Sequence, residues 1–277
     1  MIRLTFNRYI CRGLRPEDGM AQKRDLHIFV ESVAAHDFLV KRWEGVSSRA
    51  IANRGRFTVA LSGGKTPGDF FRRLAVRQNL PWDETHIFQV DERVVSPTDS
   101  ESNLFLIRET LTKGASIPSE NIHPITTEGI TPEESAKEYE GKLRRFFHTE
   151  TLPRFDLIML GIGDDGHTAS LFPESPCLHE KNLLVVPVAA KSPPRERISL
   201  TLPVINNARS ILFLVTGERK ASIMREVLEE DSPLPAAQVR PTDGSVIFVL
   251  DQCAASFLSK NDLIEASRKR LHGISDC

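Results

Sequence analysis

The chain has 277 residues, 40% of them hydrophobic, with 36 basic side chains against 37 acidic ones. That length buries roughly three quarters of the unfolded surface, in one large or two small domains. The near-zero net charge leaves no electrostatic footprint for nucleic acid or an anionic membrane, so any bound anion must be held by a local arrangement.

Residues 1–24 carry Arg3, Arg8, Arg12, Arg15, Lys23 and Arg24 against only Glu17 and Asp18. They are expected to form a disordered basic tail, or to reflect a start upstream of Met20. A basic organelle-targeting leader is the alternative. A first strand is predicted over 26–30, followed by helix-type spacing of Val33, Phe38, Leu39, Trp43 and Val46 over 32–52. A strand over 57–61 leads through Ser62-Gly63-Gly64-Lys65-Thr66-Pro67 into a helix carrying Phe70, Phe71 and Leu74. The next strand, 86–90, ends in Asp91-Glu92-Arg93, with a helix predicted over 101–111 and a longer one over 132–147. Further strands are predicted at 155–160, 183–188, 198–202, 210–215 and 246–250, with helices at 218–228 and near the C-terminus. Strands alternating with helices imply a Rossmann-like α/β fold, with a mainly parallel sheet and helices on both faces. No internal repeat is present.

The run 155–160 is short and almost wholly apolar, as a strand covered on both faces should be. It breaks into Gly161-Ile162-Gly163-Asp164-Asp165-Gly166-His167, at the strand's carboxyl end where α/β sheets gather ligands. The glycine spacing matches Gly-x-Gly-x-x-Gly, but a pyrophosphate would face Asp164 and Asp165. Val185 and Val186 also occupy the region where a ribose-binding acid belongs. The acids make better partners for an imidazole: a carboxylate on one ring nitrogen fixes the tautomer and supports the imidazolium formed when the other nitrogen takes a proton. Asp165, two residues before His167, is the preferred orienter, with Asp164 the alternative. The bland reading is a loop histidine bonded to local backbone.

The loop 62–67 is an anion cradle. Gly63 and Gly64 let backbone N–H groups approach phosphate oxygens, a helix start adds its positive end, and Ser62, Lys65 and Thr66 add side-chain donors. It is not a Walker loop, because the required first glycine falls on Val59. A monophosphate fits better than a nucleoside triphosphate; the plain alternative is an ordinary strand-to-helix turn. Arg93, Arg197 and Lys220 also fall at element ends, on the crevice side of the predicted sheet, as a site for a small anionic molecule requires. Arg195 is close enough to Arg197 that their separate roles stay open.

Other chemistries find no pattern. The remaining histidines form no HExxH or His-x-His pattern, Cys177-Leu178-His179 lacks ligands at usable spacing, and no Gly-x-Ser-x-Gly elbow occurs. No metal site and no serine nucleophile are expected. The four cysteines, Cys11, Cys177, Cys253 and Cys277, include no CxxC pair, so free thiols in a reducing cytoplasm are expected. No apolar run reaches the roughly 18 residues of a membrane helix, and no signal-peptide core is visible.

Four segments, taken in order, resemble the 6-phosphogluconolactonase family: residues 61–67; Asp91-Glu92-Arg93 with Ser102-Asn103; residues 160–173, containing Asp165-Gly166-His167-Thr168-Ala169-Ser170-Leu171-Phe172-Pro173; and residues 197–203. The resemblance runs from about residue 25 to 258, leaving a C-terminal helical extension over 259–277 outside it. Glucosamine-6-phosphate deaminases share the fold and the Asp-Gly-His turn, but their turn continues to a glutamate that is absent after His167. The resemblance implies an α/β domain of the isomerase and CoA-transferase type without a nucleotide cofactor or metal. It further implies hydrolysis of a phosphosugar lactone, a carboxylic ester, by a cytoplasmic enzyme of the pentose phosphate pathway. His167 would be the general base, oriented by Asp165. Arg93 would steer the sugar or stabilise charge, and Lys65, Arg197 and Lys220 with the 62–66 loop would anchor the phosphate. A phosphosugar-binding regulator that has lost catalysis, and a purely structural protein, are the competing readings. The first leaves the Asp165/His167 pair without a purpose and the second leaves both glycine-rich loops unexplained.

Overall fold

The computed structural model describes residues 9–12 and 23–259. In chain order these form β1 (Tyr9–Arg12), β2 (Lys23–Phe29), α1 (Ser32–Arg54), β3 (Phe57–Leu61), α2 (Lys65–Ala75), β4 (Thr85–Gln89), β5 (Asp91–Arg93), α3 (Asn103–Ile107), β6 (Ile122–His123) and α4 (Pro132–Phe147). There follow β7 (Leu157–Leu160), β8 (Val185–Ala189), β9 (Glu196–Leu200), α5 (Leu202–Asn206), β10 (Ser210–Val215), α6 (Ala221–Glu229) and β11 (Ser245–Asp251).

An eight-stranded sheet runs β1-β2-β11-β10-β7-β3-β4-β6. Every pairing in it is parallel except β1 with β2. Alternate residues of its central strands feed two cores. Ile211, Phe213 and Val215 of β10 join the core under α4, α5 and α6, while Leu212 and Leu214 join the one under α1 and α2. This is why β7, residues 59–61 of β3 and residues 211–215 of β10 read as unbroken apolar runs rather than as alternation. Phe213 stacks on Phe248 of β11 with ring centroids 4.8 Å apart, and on the opposite face Trp43 meets Phe57 edge-on at 5.2 Å. Truncating any of these buried rings to alanine is expected to cost about 3–5 kcal/mol.

Helix α4 shows its start in the sequence. Thr131 accepts from the Glu134 N–H, Glu134 returns a bond to the Thr131 N–H, and Pro132 occupies the first turn, the capping-box arrangement. Its buried Tyr139 hydroxyl donates to the Gln89 carbonyl at 2.8 Å and accepts the Gln89 N–H at 3.0 Å. That bond fixes the end of β4, from which Asp91, Glu92 and Arg93 emerge.

Four features depart from expectation. Strands β8 and β9 do not enter the main sheet; with β5 they form an antiparallel sheet ordered β5-β9-β8. The predicted strand at 198–202 stops at Leu200, because Pro203 in the first turn of α5 starts a helix there. Residues 9–12, expected within a disordered tail, pair with β2 in the register Tyr9 to Ile28, where the otherwise unpaired edge of β2 offers them ladder partners. The predicted helix at 101–111 is α3 running into a π-helical stretch, Arg108–Thr112. The extension expected over 259–277 lies, apart from Ser259, outside the described residues.

Candidate active site

From β3 the sheet grows through β4 and β6 on one side and through β7, β10 and β11 on the other. The order therefore reverses between β3 and β7, and the crevice beyond their carboxyl ends is where doubly wound sheets bind ligands. A cleft of about 420 Å³ opens there, lined by Ser62, Gly63, Gly64, Lys65, Thr66, Arg93, His167, Arg197 and Lys220. The two glycine-rich loops meet because they leave adjacent parallel strands at the same end. Asp165 alone among the expected site residues does not line the cleft; it stands behind the histidine.

The His167 turn is locked by short bonds. The Gly163 N–H donates to the His167 carbonyl at 2.8 Å and the Thr168 hydroxyl to the Gly161 carbonyl at 2.9 Å. Asp165 Oδ1 lies 2.5 Å from His167 Nδ1 and accepts the His167 backbone N–H at 3.1 Å. With Nδ1 engaged, Nε2 is the nitrogen left for proton transfer. Burial pushes the Asp165 carboxyl up, but the His167 N–H and imidazole more than offset this and hold it below the ordinary aspartate value. The Phe172 ring, centroid 4.7 Å from that of His167, supplies an apolar wall. Gly163 is demanded by the ring itself: a Cβ there would fall 2.1 Å from His167 Nδ1.

Asp164, the alternative orienter, has another role. It lies 2.6 Å from Lys220 Nζ and 3.4 Å from Arg219 Nη2; the hydrogen bond from Lys220 chiefly keeps its carboxyl below the ordinary value. It thus tethers the turn after β10 to the turn after β7. The Gly217 N–H, donating to both carboxylate oxygens of Asp251, holds the other end of that turn.

The cations sit around the 62–66 loop. Lys65 and Thr66 form the start of α2, whose N-cap Gly64 has φ 115°, a conformation that favours glycine. Arg93 and Arg197 are directly opposed in the β5–β9 register. Burial, then the Arg93 charge, pulls the Arg197 guanidinium below the ordinary arginine value. Two cross-strand guanidiniums lining one cleft, one of them buried, offer planar charged donors of the kind that bind anions. The Arg197 Nε donates to the Pro194 carbonyl at 2.8 Å and an Arg93 Nη donates to the Glu101 carbonyl. Arg195 does not line the cleft.

Sequence reasoning gave no site role to the polar layer beneath. Buried Glu92 accepts from Gln89 Nε2, Ser102 Oγ and the N–H groups of Arg93, Asn103 and Leu104, all at 2.7–3.0 Å. It is a carboxylate satisfied by neutral donors, two of them at the start of α3. Asp91 accepts from the Ser170 hydroxyl at 2.7 Å and from the Asn103 amide, joining β5 to the segment after His167. The signal available was the acidic pair before Arg93 followed ten residues later by Ser102-Asn103.

Among the described residues, no group of three or more His, Cys, Asp or Glu side chains is arranged to hold a metal ion, and no helix is long and apolar enough to cross a membrane. Cys177 and Cys253 are free thiols.

Residues 31–248 match the family model described as glucosamine-6-phosphate isomerases/6-phosphogluconolactonase. The chain belongs to this family. Within the family it is similar to 6-phosphogluconolactonase of Synechocystis, 43% identical over 216 residues spanning 76% of this chain and 88% of the relative. It is also similar to the human 6-phosphogluconolactonase, 40% identical over 213 residues spanning 74% and 82%. Among solved structures, 6-phosphogluconolactonase from Thermotoga maritima superposes with a TM-score of 0.73 at 32% identity, over 82% of this chain and all of that one. That from Trypanosoma brucei superposes with 0.77 at 25%, over 84% and 98%. The expected α/β fold and family membership therefore hold.

Proposed function

We propose that this chain hydrolyses 6-phospho-D-glucono-1,5-lactone to 6-phosphogluconate, with His167 as general base and the 62–66 loop as phosphate anchor. One observation carries the reading: an imidazole oriented by a carboxylate and a glycine-rich anion loop face one cleft from adjacent strand ends. The named relatives agree with it in activity. A lactone is an activated ester, so a positioned water and a base suffice. His167 Nε2 takes a proton as the water oxygen bonds to the lactone carbonyl carbon. The bond from that carbon to the ring oxygen then breaks, and Nε2 returns the proton to the departing oxygen. The net change is addition of one water. Asp165 stabilises the transient imidazolium, and Arg93 faces the charge developing on the carbonyl oxygen. Lys65, Arg197 and Lys220, with the backbone N–H groups of the loop, bind the phosphate, and that remote binding energy orients the reacting carbon.

The isomerase branch of the family is disfavoured by the turn itself. After His167 the chain presents Thr168, Ala169, Ser170, Leu171 and Phe172, with no carboxylate to shuttle protons during ring opening. Free Cys177 and Cys253 suit the cytoplasm as the place of action. The deciding experiment follows 6-phosphogluconolactone hydrolysis above its spontaneous rate, with glucosamine 6-phosphate as the control substrate. Hydrolysis without ammonia release is expected; ammonia production at a comparable rate would overturn the assignment.

A further inference from the structure

The cleft has a residue that neither the base nor the cation set accounts for. Asn103, 2% exposed, opens α3 and lines the cleft. Its amide Nδ2 donates to the Asp91 carbonyl at 2.9 Å and lies 3.4 Å from Asp91 Oδ1. Both donors thus point at Asp91, and the carboxamide cannot flip without facing two acceptors with a third. Its Oδ1, fixed on the opposite side, is buried without a hydrogen-bond partner. A buried acceptor left unpaired is destabilising, which calls for a reason.

The reason lies in Gly63. A Cβ there would stand 1.8 Å from Asn103 Oδ1 and 2.4 Å from its Cγ, so the carboxamide occupies the volume a side chain would fill. The Gly63 backbone therefore rests directly on an amide braced from below by Asp91. Asp91 is itself bonded to Ser170 at 2.7 Å, and the Asn103 N–H is held by Glu92 at 2.7 Å. The seat is rigid because the Asn103 amide donor, the Asn103 N–H and the Ser170 hydroxyl are all matched, leaving the Oδ1 acceptor that faces the loop unpaired.

We propose that Asn103 is a positioning residue for the anion loop. Its braced carboxamide sets the height and tilt of the Gly63 and Gly64 peptides, and thereby the enzyme's preference for phosphorylated ligands. The proposal rests on the phosphate-anchor part of the function above and concerns a residue with no assigned contact to the lactone ring. A truncated side chain leaves a hollow into which the loop sinks. Displacements near 1 Å in such a cradle cost up to about a hundredfold in positioned chemistry.

The test combines Asn103→Ala, Asn103→Ser and Gly63→Ala with the double variant Gly63→Ala/Asn103→Ala. Calorimetric binding of 6-phosphogluconate needs no turnover, and kcat/KM is measured on 6-phosphogluconolactone and on unphosphorylated gluconolactone. Asn103→Ala is expected to weaken 6-phosphogluconate binding about tenfold and to lower the phosphorylated-to-unphosphorylated preference by a similar factor. Asn103→Ser, which retains a donor toward Asp91, keeps the seat folded if alanine does not and should show the same shift. Gly63→Ala should be severe alone and much milder in the Asn103→Ala background, where its methyl group has room. Unchanged affinity and preference in both Asn103 variants, or strictly additive effects in the pair, would overturn the positioning role. A wild type that binds 6-phosphogluconate without turning over the lactone would overturn the lactonase reading alone; one that does not bind it would overturn the anion loop and the positioning role together.

Discussion

Replacing Gly163 with alanine isolates the geometry of the base from its chemistry. The φ of Gly163 is not positive, so alanine brings no backbone strain, and the effect is steric. The new methyl carbon would lie 2.1 Å from His167 Nδ1, 2.2 Å from Cε1 and 2.7 Å from Asp165 Oδ1. Ordinary contact between such atoms is near 3.5 Å, so the imidazole must retreat by roughly 1 Å and its bond to Asp165 must stretch or break. A displacement of that size from a near-attack geometry is worth about a hundredfold in kcat, equivalent to about 2.7 kcal/mol in the barrier. The overpacking should also cost about 1–3 kcal/mol of stability, visible as a lowered Tm in a protein that still folds. Affinity for 6-phosphogluconate should be little altered, because the proposed anion loop leaves a different strand. The assay is initial-rate hydrolysis of 6-phosphogluconolactone, corrected for spontaneous opening, beside calorimetric binding of the product. A folded Gly163→Ala enzyme with kcat within threefold of wild type would show that the imidazole seen beside Gly163 is not the catalytic group.

Other outcomes follow from the same site. His167→Ala should lower kcat by about a hundredfold or more with product affinity nearly intact. Asp165→Asn removes a charge from a half-exposed pair; at about 4 Å the attraction lies between roughly 1 and 4 kcal/mol across the relevant dielectric range, so kcat should fall about thirtyfold, and an unchanged kcat would refute the orienting role. Arg197→Ala should act mainly on kcat/KM for the phosphorylated lactone, and equal efficiency on phosphorylated and unphosphorylated lactones in the wild type would remove the anchor. Since the proposed base needs only water, exhaustive chelation should leave hydrolysis undiminished; loss restored by a divalent cation would refute that. Away from the site, burial first, then the charges of His86, Lys142 and Arg56, pull His123 from 6.5 down to about 4, and its Nε2 lies 3.2 Å from His86 Nδ1. The unfolded chain therefore binds the extra proton first, so this contribution is present above pH 6.5 and is lost as pH falls toward 4. The decline in Tm between pH 7 and 5 should be shallower in His123→Phe, and parallel curves would sink the assignment.

Much of this was legible in the sequence because the signals are local. The runs 59–61 and 211–215 are apolar throughout because both sheet faces are covered, and their ends are marked by Gly63, Gly64 and Gly217. Asp165 and His167 are two residues apart in one turn, so their pairing needs no knowledge of the rest of the chain. The helix start at Thr131, Pro132 and Glu134 is equally self-contained. What the tertiary structure decided are pairings across long separations. Asp164 is a second acid beside the histidine in sequence, yet it faces Lys220, 56 residues away, because β10 lies beside β7 in the sheet. Strands β8 and β9 read as strands like the others but pair with each other and with β5, since local pattern sets that a segment is extended and not which edge it meets. Asn103 reads as an ordinary helix-opening residue; only the approach of α3 to the β3 loop brings its carboxamide against Gly63, where the missing side chain leaves space for it. Periodicity and turn chemistry act over a few residues, whereas the cleft is assembled by strand order, which depends on the packing of the whole core.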